Sequence, residues 1–345
     1  MRKKILILGS FSKGALEHQY VRGFLNNNWE VEKLDIQISV HEQANLHIIN
    51  KLTNRFFPDI FLASINKKAI EKAREINPLV VLIFKGMEIK AETILELKQH
   101  CKLVCNYNPD HPFKFYSRGA GNTNVLKGIP HYDIYFSYSK NIVNQLNNKF
   151  KVKSYCIPFG YDNQIKPVKF SEKNITDDFI FIGAWDMQRE KDLTNLIDYP
   201  ITLFGPTNWR NKLASNKEML SKLSTHSLYE QDYANACFTA FGVLNFIRSQ
   251  NLIEQSHNMR TFEVTGYGGL LISQRTEEQL DFFEEDKEAI YFDELGELKE
   301  KLNYLQNNPN KVAEIKLNAH QRSLSSGYDY NARTKALIEK LEKYV

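Results

Sequence analysis

A short apolar run that ends in glycine opens this chain, Lys4-Ile5-Leu6-Ile7-Leu8-Gly9, and the same device recurs at Phe179-Ile180-Phe181-Ile182-Gly183. Short apolar runs follow each opening: Trp29 to Ile36, Asp59 to Ala63, Leu79 to Phe84, Lys102 to Asn106 and Asp133 to Ser137 after the first. Ile201 to Phe204, Phe241 to Phe246, Leu270 to Ser273 and Ala289 to Phe292 follow the second. Stretches with helical spacing separate them, among them Gly14–Asn27, Lys67–Ile76 and Ala91–His100. Strands alternating with helices at this interval make a parallel, doubly wound sheet, with ligand sites at the carboxyl ends of its strands. Two openings therefore predict two Rossmann-like α/β domains. At 345 residues the chain suits two domains better than one core. The expected division is residues 1–165 and residues 166–328. Residues 329–345, whose helical part spans Asn331 to Tyr344, are expected to pack back on the first domain. A polar stretch containing Pro167, Gly160 to Asp178, serves as the expected hinge.

With 42% hydrophobic and 25% charged residues, the composition is that of a water-soluble globular protein. No apolar run is long enough to span a bilayer. Met1-Arg2-Lys3-Lys4 leads straight into the first strand without the apolar core of a secretory signal. Cys101, Cys105, Cys156 and Cys237 lack metal-ligand spacing, so a reducing, cytoplasmic compartment is expected. The net charge of +4 is unevenly divided: residues 1–170 hold 25 Lys and Arg against 14 Asp and Glu, the remainder 20 against 27. A basic first half fits an anionic partner: a membrane surface, a glycan or nucleic acid. It equally fits a solvated lysine-rich face.

The segment His257 to Ser273 reads as a short helix, a double-glycine stop at Gly268-Gly269 and a buried strand. Arg260 and Glu263, three residues apart, share a helix face near the helix N-terminus. There, free backbone N–H groups and the helix dipole favour an anion. Arginine pairs with a diphosphate through parallel hydrogen bonds, and a carboxylate accepts both hydroxyls of a ribose. The plainer reading is a surface ion pair one turn apart. Asn258, at the helix start, has the residue type of an N-cap.

Several further runs are distinctive in their order: Gly14-Ala15-Leu16-Glu17-His18, Phe84-Lys85-Gly86, Asn106 to Phe113 and Pro158-Phe159-Gly160-Tyr161-Asp162. In the second half they are Phe181 to Trp185 with Arg189, Gly205 with Trp209, the segment His257 to Ser273, and Asn308-Pro309 to Arg322. Two Rossmann-like domains facing each other across a cleft form the GT-B architecture, and on these runs the chain resembles the CgeB-like group of GT-B glycosyltransferases, the "glycosyl transferases group 1" type. The resemblance implies transfer of a sugar from a nucleotide-diphosphate donor, a UDP-sugar in the first instance, to an acceptor hydroxyl. It implies no metal and no tightly bound cofactor, so positive side chains and helix N-termini must neutralise the departing diphosphate.

On that reading Gly183, Arg189 and Lys191 lie at the donor phosphates, although Arg189-Glu190-Lys191 also reads as a solvated helix start. Arg260 is a second phosphate ligand, Glu263 resembles the ribose-binding glutamate, and Asn245, Arg248 and Asn258 share the rim. Gln255 stands where related retaining enzymes carry an acidic residue. Trp209 and Tyr229 either flank the base or pack. In the first domain Gly9 and Gly14 bound a loop where sugar and diphosphate can approach the backbone. Asp110 and His111, in a turn after a strand, are candidates to accept the acceptor's proton, with His18 a third catalytic candidate; turn chemistry also explains an Asp between prolines.

No Asp-x-Asp metal motif, Gly-x-Ser-x-Gly elbow or His-Glu-x-x-His helix occurs, and Glu284-Glu285-Asp286 reads as an exposed acidic loop. The expected partners are a nucleotide sugar and a glycan or other hydroxyl acceptor, with an anionic acceptor and peripheral contact at the inner face of the membrane fitting the basic first domain. No nucleic-acid motif is present. A GT-B nucleotide-sugar epimerase and a non-catalytic two-lobe binding protein are the competing readings.

Overall fold

The computed structural model describes residues 3–47, 49, 53, 58–115, 119–167, 176–224 and 226–345. The chain divides into two compact units, Met1–Pro158 with Tyr330–Val345, and Phe159–Asp329. Part of the stretch expected as a hinge, residues 168–175, lies outside the described residues, as do Met1 and Arg2.

The first unit holds six parallel strands in the order β2-β1-β3-β4-β5-β6: β1 Lys4–Gly9, β2 Glu30–Asp35, β3 Val80–Phe84, β4 Leu103–Asn108, β5 Ile134–Ser137 and β6 Ser154–Cys156. The central strands β3, β4 and β5 are buried at every position. This is why they read as unbroken apolar runs rather than alternating ones. The edge strand β2 is half-polar and contains Glu30, Glu32 and Lys33, and charge of this kind blunts an open edge. The Leu16–Asn26 helix buries Leu16, Tyr20, Gly23 and Phe24, a stripe one helical face wide. The Tyr330–Leu341 helix lies against it. A Cβ on Gly23 would stand 2.1 Å from Thr334 Oγ1, so glycine is what lets the two backbones approach.

One expected strand is absent. The run Asp59–Ala63 is the start of a single 19-residue helix, Pro58–Ile76. Its buried residues Phe61, Leu62, Ile65, Ala69 and Ala73 continue with helical period. The first five residues, taken alone, cannot distinguish a strand from a buried helical turn.

The second unit holds five parallel strands in the order β11-β10-β9-β7-β8: β7 Phe179–Ile182, β8 Ile201–Phe204, β9 Gly242–Asn245, β10 Leu271–Gln274 and β11 Ile290–Phe292. Its core gathers Phe179, Phe181, Leu203, Trp209, Leu244 and Ile272. Strand order reverses between β1 and β3 in one sheet and between β7 and β9 in the other. Each reversal opens a crevice beyond the carboxyl ends of two strands, the place where doubly wound sheets bind ligands.

Candidate functional site

At the second reversal point, Gly183 follows β7 and Asn245 ends β9. Asp186 caps the Met187–Thr194 helix by accepting from the Arg189 N–H (2.9 Å). That geometry turns the Arg189 side chain inward, where it is 6% exposed. Its Nε and Nη2 donate to the Phe246 carbonyl (3.0 and 2.7 Å), and Nη1 donates to the Ala184 carbonyl (3.1 Å). Asp186 Oδ2 stands 3.3 Å from Nε. Arg189 ties the loop after β7 to the end of β9, with three of its five N–H donors on main-chain carbonyls. Lys191, two residues along, projects to a different side of the helix and is exposed.

Burial first, and the charge of Arg260 second, lower Arg189 to about 10, with Arg248 adding to the repulsion and Asp186 opposing it. Two further guanidinium groups thus act on Arg189 at the strand ends. Arg248 is exposed at the start of the Ser249–Ile253 helix. Arg260 is half-buried in the first turn of the Met259–Gly266 helix, with Nε buried and without a hydrogen-bond partner among the described residues. A buried, unpaired guanidinium N–H costs about 1–3 kcal/mol. A bound anion would recover that loss.

Asn258 stands at the N-cap position, yet its side chain makes no capping bond. It forms a reciprocal amide pair with Asn245 instead: Asn258 Nδ2 to Asn245 Oδ1 at 2.9 Å, and Asn245 Nδ2 to Asn258 Oδ1 at 3.2 Å. Asn245 Nδ2 also donates to Ser273 Oγ (3.1 Å). The capping reading of Asn258 is therefore corrected, because the pairing joins the helix start to the ends of β9 and β10. His257, just before it, is structural: Nε2 accepts from the Phe159 N–H (3.3 Å), which leaves Nδ1 to donate to Glu278 (2.7 Å).

Glu263, one turn beyond Arg260, makes no ion pair with it. Its Oε2 accepts from Tyr233 Oη (3.1 Å), and burial raises its pKa while Arg260 and Tyr233 pull it down. The surface ion-pair reading does not hold, since both side chains are half-buried and separate. Trp209 is fully buried and donates to the Gly183 carbonyl (3.0 Å), so it packs rather than flanking a ligand; Tyr229 is 52% exposed. Glu285 is not part of an exposed acidic loop, for Arg275 and Lys301 hold it at 2.7 and 2.8 Å.

At the first unit's reversal point the side chains come from β1, β3 and β4. Gly9 ends β1, and a Cβ there would lie 2.6 Å from Glu17 Oε1. Glu17 is buried and accepts from the Ser10 N–H (2.8 Å), and burial raises its pKa against the pull of that hydrogen bond and of the Lys85 charge. His18 points the other way: its Nε2 bonds the Phe11 carbonyl (2.9 Å), tying down the loop after β1. Gly14 is exposed at φ +77 with open space around it.

Lys85 follows β3 in the left-handed region (φ 56), and Gly86 follows at φ 91. That turn, costly for lysine, places Lys85 Nζ 2.7 Å from Asp110 Oδ2 and 3.2 Å from the Gly119 carbonyl. Asp110 is fixed further by its N–H bond to Asn108 Oδ1 (2.9 Å). His111 is 1% exposed, and its Nδ1 accepts from the N–H groups of Lys114 (3.1 Å) and Phe113 (3.4 Å). Nδ1 is thus committed as a turn acceptor. Asp110 and His111 are adjacent in sequence but do different things. Lys85 was named from sequence only within the Phe84-Lys85-Gly86 resemblance, without a role, and Tyr233 was not named. Lys85 carried a signal, a lysine-glycine pair at a strand end, whereas Tyr233 carried none.

Residues 188–339 match the family model described as "Glycosyl transferase-like". No curated protein matches the chain. Among solved structures it is similar to a sucrose-phosphate synthase from Thermosynechococcus elongatus, at 11% identity and TM-score 0.69, with 99% of each chain covered. It is similar to HepE from Anabaena in complex with UDP-glucose, at 12% identity and TM-score 0.68, again with 99% of each chain covered. A third is a glycosyltransferase from Rickettsia africae, at 11% identity and TM-score 0.64, covering 99% of this chain and 98% of that one. The fold is the two-Rossmann-like GT-B fold, and it points with the family match to a glycosyltransferase.

Proposed function

We propose that this protein transfers a sugar from a nucleotide-diphosphate donor to an acceptor hydroxyl. The observation that carries the reading is the unpartnered, buried Nε of Arg260 beside two further guanidinium groups at the ends of β7 and β9. Three guanidinium groups against Asp186 and Glu263 leave that crevice net positive, which suits a multiply charged anion. The Met259–Gly266 helix adds the N–H groups of its first turn. In this arrangement Arg260 and Arg248 hold the diphosphate, Arg189 stiffens the loop between them, and Glu263 accepts from the ribose through the oxygen that Tyr233 leaves open. The positive charge comes from arginine and helix N–H groups, which makes the reaction metal-independent in this reading. A UDP-sugar is the first donor to try, since HepE was solved with UDP-glucose.

In the first unit, Asp110 is the group that takes the acceptor's proton, with Lys85 orienting it. The basic first half suits an anionic acceptor, such as a cell-envelope glycan, and contact with an anionic membrane surface. On the residue resemblance, the chain is read as similar to the CgeB-like group.

A thermal-shift panel of UDP, GDP, CMP, dTDP and their sugars tests the donor. A ligand at about 100 times its dissociation constant adds about 2.7 kcal/mol of stability; a flat response to every nucleotide would overturn the reading. Incubation with the donor sugar alone separates transfer from epimerisation, because only an epimerase changes the sugar without an acceptor.

A further inference from the structure

The second unit contains a cavity of about 440 Å³ unrelated to the arginine cluster. Phe238, Phe241, Tyr267, Val312, Lys316 and His320 are among its lining residues. Val312, Lys316 and His320 project from the Pro309–Ser325 helix at four-residue spacing, one stripe facing the cavity. Tyr267 follows the Met259–Gly266 helix at the end opposite Arg260, and that helix has eight residues. At about 1.5 Å per residue, the cavity is about 12 Å from the arginine end.

The wall is mostly apolar, and two nitrogens interrupt it. Lys316 Nζ donates to the carbonyls of Phe238 (2.7 Å) and Ala240 (2.8 Å), closing the end of the Glu230–Thr239 helix. An ammonium has three N–H donors, so one remains. Its burial lowers the amine to about 8. His320 Nδ1 is buried and has no hydrogen-bond partner among the described residues. Asp177 is exposed at the rim, so an anionic head is favoured inside, at Lys316, and disfavoured at the mouth. The volume lies within the range of about 300–1,000 Å³ usual for small-molecule sites.

We propose that this cavity binds a small apolar carboxylic acid, its carboxylate between Lys316 and His320 and its hydrocarbon against Phe238, Phe241, Tyr267 and Val312. The site goes beyond the glycosyl-transfer reading and does not depend on it.

The test is calorimetric titration of the full chain with decanoate, beside decanol and decylamine. Decanoate is expected to bind saturably at one site, with decanol at least about tenfold weaker and decylamine not bound, since a charge-assisted hydrogen bond is worth that factor or more. His320→Leu, which keeps the wall apolar, should weaken decanoate severalfold, and Lys316→Met about tenfold or more. Lys316→Met also strips two carbonyls of a donor and is prone to misfold. Ala313→Trp, at an exposed lining position, fills the cavity from solvent and should abolish binding while the protein stays folded. The proposal is overturned by absent saturation in the wild type, by decanol binding as tightly as decanoate, or by binding that survives Ala313→Trp. The titration contains no nucleotide, so its failure is distinct from failure of the donor panel.

Discussion

Arg260 and Glu263 stand one turn apart on the same helix and do not pair: Glu263 bonds Tyr233, and Arg260 Nε bonds nothing among the described residues. In the proposed donor site, that guanidinium holds the diphosphate. Arg260→Ala should therefore weaken UDP binding by about tenfold to a hundredfold, the value of one to two charge-assisted hydrogen bonds. The melting temperature should hold or rise, because the variant also relieves the repulsion on Arg189. Calorimetry with UDP and a thermal melt without ligand measure the two effects. A variant that loses stability and keeps its affinity would assign Arg260 to the fold instead.

Glu263 makes the complementary prediction about pH. Burial raises its pKa above the usual carboxylate value, so the folded state holds the proton more tightly than the unfolded state does. The stability this gives is present below the unfolded value, near 4.5, and is lost as pH rises through the raised folded value. At neutral pH the buried carboxylate is then a net cost to the unliganded protein. Glu263→Gln should melt higher than wild type at pH 7.5, with the gap closing towards pH 4, and should bind UDP more weakly at every pH. Parallel wild-type and variant melting curves across that range would show that Glu263 titrates normally.

Arg189 is predicted to behave in the opposite way to Arg260. Its guanidinium is an internal staple between Ala184, Phe246 and Asp186, so Arg189→Met leaves two carbonyls short of donors in a buried place. The cost is about 1–3 kcal/mol per unsatisfied group, read as a lower urea midpoint with an unchanged m-value. UDP affinity should fall less than in Arg260→Ala. If Arg189→Met unfolds at the wild-type urea concentration and loses all nucleotide binding, the arginine contacts the donor directly.

These contrasts show where sequence reading stopped. Both sheets were legible because parallel strands buried on two faces have to be continuous apolar runs. The exceptions were Asp59–Ala63, a helical turn with a strand's composition, and β6, only three residues long. Some residue types at the strand ends were legible too: Gly183 follows β7, Asn245 ends β9, and the charge of Arg260 acts on Arg189. What each side chain does there was not. Arg189 is internal because a carbonyl 57 residues away in the chain accepts two of its donors, and Asn258 is drawn from its cap by Asn245 on a neighbouring strand. Such choices depend on partners brought together by tertiary structure, and local spacing does not encode them.

Asp110 and Lys85 supply the last prediction, and it concerns turnover rather than binding. The Lys85 Nζ to Asp110 Oδ2 contact is 2.7 Å, with Lys85 38% and Asp110 25% exposed, so water weakens the pair and it contributes at most about 1 kcal/mol to stability. The strained backbone that aims Lys85 at Asp110 is therefore poorly explained by stability alone. If Asp110 accepts the acceptor's proton, Asp110→Asn should lower kcat by about 100-fold or more, the usual scale of a lost general base. UDP affinity and melting temperature should stay near wild type, since donor binding is assigned to the other unit. Lys85→Met, which removes the orienting charge at 2.7 Å, should lower kcat less. His111→Ala should instead cost stability, for His111 Nδ1 organises the turn at Phe113 and Lys114. Steady-state kinetics of the three variants with a donor identified by thermal shift separate the roles. Full activity in Asp110→Asn would exclude Asp110 as the base.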